Sequence, residues 1–304
     1  MVEVKKMKPE SPDRWVKCIS TQGNIRGVAI QATQLVGTAA NLHDLKGEGI
    51  RRLGEAIMGG LLLASYCKRG ERINLNIRGS GTSRQALVDA YPDATVRGYI
   101  IEGENIDLLE GDVGPWGVGT LSVLKTKDQE GQTPYIGTVP LLTGHLAKDL
   151  SFYWAQSEQI PSAVGLAVGL EKDRVTSAGG FLIQALPGAS LTEIKAIEHH
   201  ILEIESLAES FAKASSPVQI LSQIFQNSAF MVVEEKPLEF KCQCSWERVR
   251  RALVLVGVAE LESMLGEGKS AIVRCDFCSR QYEVDKAALT SLIETVQSQE
   301  VSRK

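Results

Sequence analysis

Four of the six cysteines in this chain fall into two short pairs, Cys242-Gln-Cys244 and Cys275-Asp-Phe-Cys278. About 30 residues separate the pairs, enough chain to fold back and bring all four sulfurs to one point. Four thiolates converging tetrahedrally form a structural zinc site, closed to substrate water, whose role is to hold a fold together; catalytic zinc is disfavoured. The Cys-x-Cys spacing leaves a second reading open. In extended chain, residues two apart share a face with alpha carbons roughly 6.6 Å apart. That lies at the upper edge of disulfide geometry, so a local bend would let Cys242 bridge Cys244, and Cys275 bridge Cys278. The residues alone thus allow a zinc tetrathiolate or two disulfides.

Which of these holds depends on where the chain resides. The first ten residues, Met1 to Glu10, carry no apolar core of a secretory signal, and the longest apolar run, around Ala163 to Leu170, is far too short for a bilayer span. The expected location is the cytoplasm, with no membrane partner, and there thiols stay reduced, so paired cysteines point to metal or redox sensing. A length of 304 residues suggests about two domains, and 43% hydrophobic with 23% charged residues describes an ordinary globular chain. With 33 basic against 37 acidic side chains, net −4, and no dense basic stripe, nucleic acid is not expected as a main partner. Cys18 and Cys67 stand apart from the pairs and read as buried small hydrophobes.

Three regions follow from the patterning, within an α+β fold. Residues 1–188 form an N-terminal mixed α/β-sheet core. Trp15–Ile19, Ile25–Ile30 and Ile73–Ile77 alternate with the period of half-buried strands, and Glu48–Lys68 reads as a helix despite Gly59 and Gly60. Further strands are expected near Ala86–Tyr91, Val96–Ile101, Leu121–Lys125, Val164–Leu170 and Phe181–Leu186. Residues 189–233 form a linker in which Ile194, Ile197, Ile201, Ile204, Leu207 and Phe211 recur every three or four positions, opposite Glu193, Lys195, Glu198, Glu203, Glu205 and Glu209. This is one amphipathic helix in need of a surface, followed by a short helix from Val218 to Gln226 that begins at Pro217. Residues 234–304 form a small unit with helices at Ser245–Val256, Val258–Leu265 and Lys286–Gln297, and two short strands around the second cysteine pair. Its core is small, and without metal it is expected to unfold.

Other motifs carry less. Gly266-Glu-Gly-Lys-Ser270 lacks the first glycine of a phosphate-binding loop, where Ser263 stands, and Gly79-Ser-Gly81 lacks the third glycine of a dinucleotide fingerprint, where Arg84 stands. The loop from Gly111 to Gly119 offers Trp116 as a stacking face, but clustered glycines between strands usually serve tight bends. His43, His145, His199 and His200 show neither metal nor triad spacing, and no enzyme is expected. Lys241, Arg274 and Arg280 favour thiolate character in the cysteine pairs.

The segments Glu239-Phe-Lys-Cys-Gln-Cys-Ser245, Cys275-Asp-Phe-Cys278, Ser157-Glu-Gln-Ile-Pro-Ser162 and Ala178-Gly-Gly-Phe-Leu-Ile-Gln-Ala-Leu-Pro-Gly188 resemble the redox-regulated 33 kDa chaperonin family. The resemblance covers nearly the whole chain after about Arg14; the first dozen residues are an unmatched extension, and Gln31 to Gly49 follows the family loosely. It implies an inactive reduced form with one zinc held by Cys242, Cys244, Cys275 and Cys278. Oxidation would pair Cys242 with Cys244 and Cys275 with Cys278, release zinc and unfold the C-terminal unit and the linker. A homodimer would then hold unfolding client proteins against aggregation, without ATP. The linker residues Ile194, Ile197, Ile201, Ile204, Leu207 and Phe211 would be the client-binding surface, and the block before Pro187 their resting place and the dimer contact.

A competing reading is a zinc-ribbon module that binds RNA or a ribosomal partner through Arg248, Arg250, Arg251, Arg274 and Arg280. Residues 234–304 carry 11 basic and 12 acidic side chains, so this unit has no net positive field to support it.

Overall fold

The computed structural model describes residues 12–21, 24–103, 113–127, 133–226, 228–266 and 270–301, and separates into two compact units that meet in sequence between Lys241 and Cys242. The unmatched extension up to residue 11, and residues 111–112 and 267–269 of the two glycine motifs, lie outside the described residues.

In the first unit the chain runs through β1 (Arg14–Ser20), β2 (Ile25–Gln31), α1 (Thr33–Leu42), α2 (Gly47–Ala64), β3 (Glu71–Gly79), β4 (Ser83–Ala90), β5 (Thr95–Glu102), β6 (Gly119–Lys127), β7 (Tyr135–Leu141), α3 (Leu146–Gln156), β8 (Ser162–Glu171) and β9 (Arg174–Ala185). Three helices follow, α4 (Leu191–Leu202), α5 (Leu207–Lys213) and α6 (Pro217–Phe225), then β10 (Phe230–Pro237) and β11 (Glu239–Phe240). The strands form a five-stranded antiparallel sheet, β10-β1-β2-β9-β8, and a six-stranded sheet, β11-β5-β4-β3-β6-β7, in which only the β11–β5 pair is parallel.

Packing follows from the residue pattern. In β3, Ile73, Leu75 and Ile77 are buried and Arg72, Asn74 and Asn76 are not, the alternation of a sheet with one face on a core. α2 supplies Ile50, Leu53, Ile57, Leu61 and Leu62 to that core, together with Trp15, Val28 and Ile30 from one sheet and Leu75, Val88 and Leu121 from the other. β9 differs: its residues from Ser177 to Gln184 are buried in an unbroken run. Its second face meets α4, α5 and α6 in a separate cluster that also contains Val16, Cys18, Ile25 and Ala29.

Two features differ from the expected organisation. The break between units falls at Lys241/Cys242 rather than at residue 234, because β10 pairs with β1 along Ser20↔Phe230 to Arg14↔Pro237, and β11 pairs with β5. The strand lies at the sheet edge and carries the charged run Glu234, Glu235 and Lys236 after the exposed Val232 and Val233. The single amphipathic helix expected through Phe211 is two helices. Ser206 caps α5, its Oγ accepting from Glu209 N at 3.3 Å, and this local cap stops α4 at Leu202. α6 starts as expected, with Pro217 in its first turn and Ser216 accepting from Val218 N.

The second unit contains α7 (Trp246–Val256), α8 (Val258–Gly266), β12 (Ala271–Arg274), β13 (Gln281–Val284) and α9 (Lys286–Val301). Its core consists of Val249, Leu253, Leu261, Val284, Leu289, Leu292, Ile293 and Val296. No helix among the described residues is long and apolar enough to cross a membrane.

Candidate metal centre and linker seat

The second cysteine pair sits on the turn between β12 and β13. Cys275 N donates to Arg280 O at 2.9 Å, Ser279 N donates to Cys275 O at 2.8 Å, and Ser279 takes φ 58°, which reverses the chain within five residues. Backbone N–H groups of Phe277 and Cys278 point at the Cys275 sulfur, and that of Arg280 at the Cys278 sulfur. The first pair lies in the stretch leading into α7, whose first turn is capped by Ser245 accepting from Arg248 N.

The four sulfur atoms all lie within 4.8 Å of one another. The short contacts run between the pairs, Cys242 to Cys275 at 3.7 Å and Cys244 to Cys278 at 3.4 Å. Sulfurs 2.3 Å from a tetrahedral zinc stand about 3.8 Å apart, so these positions surround one centre. A donor set of four thiols and no oxygen suits a soft or borderline ion, and the cluster could hold a metal ion. Among the described residues, His43 Nε2 lies against Gly98 O, His199 against Glu203, and His200 Nδ1 against Ile224 O.

The sulfurs are electrostatically unequal. Burial would raise the Cys244 thiol, but hydrogen bonds from Tyr282 and the neighbouring thiols outweigh it and bring it down to about 7. Burial raises Cys275, and raises Cys278 to about 12. The cluster therefore gives up a first proton near neutrality and holds the later ones. Because a metal must displace those protons, its affinity falls with acidification.

The two remaining thiols behave differently. Burial pushes Cys18 up to about 12 and Cys67 up to about 11. Alkylation of the reduced protein at pH 8 after chelation, which is expected to unfold residues 242–304 and expose their sulfurs, should modify those four cysteines quickly and spare Cys18 and Cys67 in the still-folded first unit, as read by mass spectrometry of tryptic peptides. Rapid modification of either would contradict the burial. The sign for stability follows: a raised folded pKa contributes stability below the unfolded value of about 9, lost as pH climbs toward 11 to 12.

The six linker residues are brought together on one surface. Ile197 and Phe211 are buried, Ile194, Ile201, Ile204 and Leu207 are half-buried, and all six pack against Phe181, Ile183, Ile25 and Val16 or their neighbours. Phe211 fits because β9 has glycine at 179, where a Cβ would stand 2.3 Å from the ring. A pocket of about 320 Å³ beside α4 is lined in part by Ile25, Ile183, Ile194, Ile197 and Ile201. The sequence reading passed over the strongest anchors, Ile220, Leu221, Ile224 and Phe225 of α6, all fully buried. Their apolar spacing of one and four was the available signal.

The glycine loop is structural in its described part. Trp116 is fully buried, Gly114 N donates to Thr143 O, and Trp116 N donates to Gly144 O. A Cβ at Gly119 would stand 1.9 Å from Arg78 O, so backbone fills the space a ligand would need.

Fold and site together define an α+β protein with a sheet face covered by apolar helices and a separate small unit built on a four-cysteine centre. A family model described as Hsp33 protein matches residues 13–285. The 33 kDa chaperonin of Clostridium perfringens (strain SM101) is 34% identical, covering 93% of this chain and 92% of its own. That of Geobacter sulfurreducens is 36% identical over 92% and 94%. The crystal structure of the 33 kDa chaperonin of Thermotoga maritima has 29% identity and a TM-score of 0.86, covering 95% of this chain and 100% of that one. This chain belongs to the Hsp33 protein family, a family of chaperones.

Proposed function

We propose that this protein is a redox-regulated holdase of the cytoplasm: inactive while reduced and zinc-bound, and activated when oxidation forms two disulfides and releases the ion. The observation that carries the reading is the gathering of Cys242, Cys244, Cys275 and Cys278 sulfurs within 4.8 Å. Zinc, when bound, keeps those sulfurs deprotonated and fixes their positions. Resemblance to the family supports pairing Cys242 with Cys244 and Cys275 with Cys278. In each pair one thiolate attacks a peroxide O–O bond, giving a sulfenic acid and, with a proton, water. The partner thiolate displaces the sulfenic oxygen, which leaves with a proton as a second water. Two peroxides thus accept four electrons, and two S–S bonds replace four thiolates.

Without its sulfur cage the second unit has only its small core to keep it folded. In sequence, β11 and β10 connect Cys242 back to α6, and α4 and α5 rest on one sheet face through the buried Ile197 and Phe211 and the half-buried Ile194, Ile201, Ile204 and Leu207. Release of that face and of Ile194, Ile197, Ile201, Ile204, Leu207 and Phe211 would present apolar surface to unfolding clients, in a homodimer and without nucleic acid or membrane. No ATP or bond-making on the client is required, so the activity is binding and not catalysis. The test is light scattering of a chemically denatured client diluted into reduced or peroxide-treated protein. Suppression by the oxidised form alone is expected, and equal suppression by both contradicts the switch.

A further inference from the structure

We propose that Tyr282 is the positioning residue of the metal centre, its hydroxyl donating to the Cys244 sulfur and setting how tightly the ion is retained. This rests on the reading of the four sulfurs as a zinc site. Tyr282 Oη lies 3.1 Å from Cys244 Sγ. A sulfur bound to a divalent ion has no proton, so the hydroxyl must be the donor. The Arg280 guanidinium interacts electrostatically with the same hydroxyl, which polarises its O–H bond toward sulfur. Four thiolates around a divalent ion carry a net charge of −2, and Arg280 with the Tyr282 dipole places positive charge against that excess.

The arrangement is specific to this sulfur. Cys275 and Cys278 accept from backbone N–H groups of their own turn, which no side-chain replacement removes. Cys244 instead depends on a side chain from β13. The ring of Tyr282 is held independently of its hydroxyl, stacked on Trp246 with centroids 6.1 Å apart and planes at 26°. Tyr282→Phe therefore deletes the donor and leaves the stack.

The experiment uses full-length reduced protein loaded with Co²⁺ for spectroscopy and with Zn²⁺ for competition against a chromophoric chelator. In Tyr282→Phe, zinc retention is expected to fall about 10-fold, the scale typical of lost partners to metal ligands. The sulfur-to-cobalt charge-transfer band is expected to move to longer wavelength, because the sulfur lone pair is no longer lowered by a hydrogen bond; a purely structural role would not move it. Arg280 is exposed, so Arg280→Met folds regardless and is expected to give a smaller shift in the same direction. An unchanged band in both variants, with the parent protein loaded by four sulfurs, overturns the role of Tyr282 and leaves the zinc reading standing. A parent protein showing no sulfur-ligated cobalt spectrum overturns both.

Discussion

Removing zinc from the reduced protein is expected to unfold residues 242–304 while the first unit keeps its sheets. The eight-residue core of the second unit joins α7, α8, β13 and α9, and the cysteine turn and the stretch leading into α7 meet at the sulfurs. Structural zinc in small domains is worth about 10 to 16 kcal/mol, against total stabilities of about 5 to 15. Loss of the ion thus removes as much free energy as such a unit possesses. Hydrogen exchange measures the outcome: on chelation, amides of α7 and α9 should lose protection and those of α2 should not. Cys278→Ser should give the same pattern without chelator. Continued protection of α9 in metal-free protein would show that the apolar core suffices.

The second large effect concerns the linker. Gly179→Val should place a branched side chain where the Phe211 ring lies, since even a Cβ there would stand 2.3 to 2.4 Å from three ring atoms. Phe211 is only 2% exposed, and loss of a buried phenyl contact costs about 3 to 5 kcal/mol, enough to detach a helix as short as α5. The reduced, zinc-bound variant is expected to suppress client aggregation that the parent does not, with faster exchange over residues 191–213. Adding Phe211→Ala vacates the site for the valine and should restore part of the resting state, a coupling that independent effects would not produce. Reduced Gly179→Val protein that stays inactive despite a displaced α5 would remove the linker face from the mechanism.

Much of this architecture is legible in the residues. The alternation in Ile73–Ile77 and the two cysteine pairs reflect a local period and a thiol set, and the structure has the strand and gathers the four sulfurs; the apolar spacing of the linker is present too, but split over two helices. What was missed depends on distant partners. β10 reads as half-charged chain until β1, more than 200 residues earlier, is seen to pair with it. β7 carries Pro140, tolerated because the strand is a sheet edge, and α1 relies on Ala39 and Ala40, too small to mark a helical stripe. The break before α5 was local and readable, in Ser206 and Glu209, but an apolar period running through Ile204 and Leu207 masked it. The hydroxyl of Tyr282 beside Cys244 has no signature in spacing, since strand register and a turn bring it there.

The central claim is that chemistry at four sulfurs controls whether the linker helices stay on their sheet. The most direct measurement is hydrogen exchange over residues 191–225 on one sample, taken before and after peroxide treatment, with zinc content and free thiols counted in parallel. Loss of one zinc and four thiols, accompanied by loss of protection in α4 and α5, is the predicted result. Helices that remain protected after the sulfurs are oxidised, in protein that nevertheless holds clients, would contradict it.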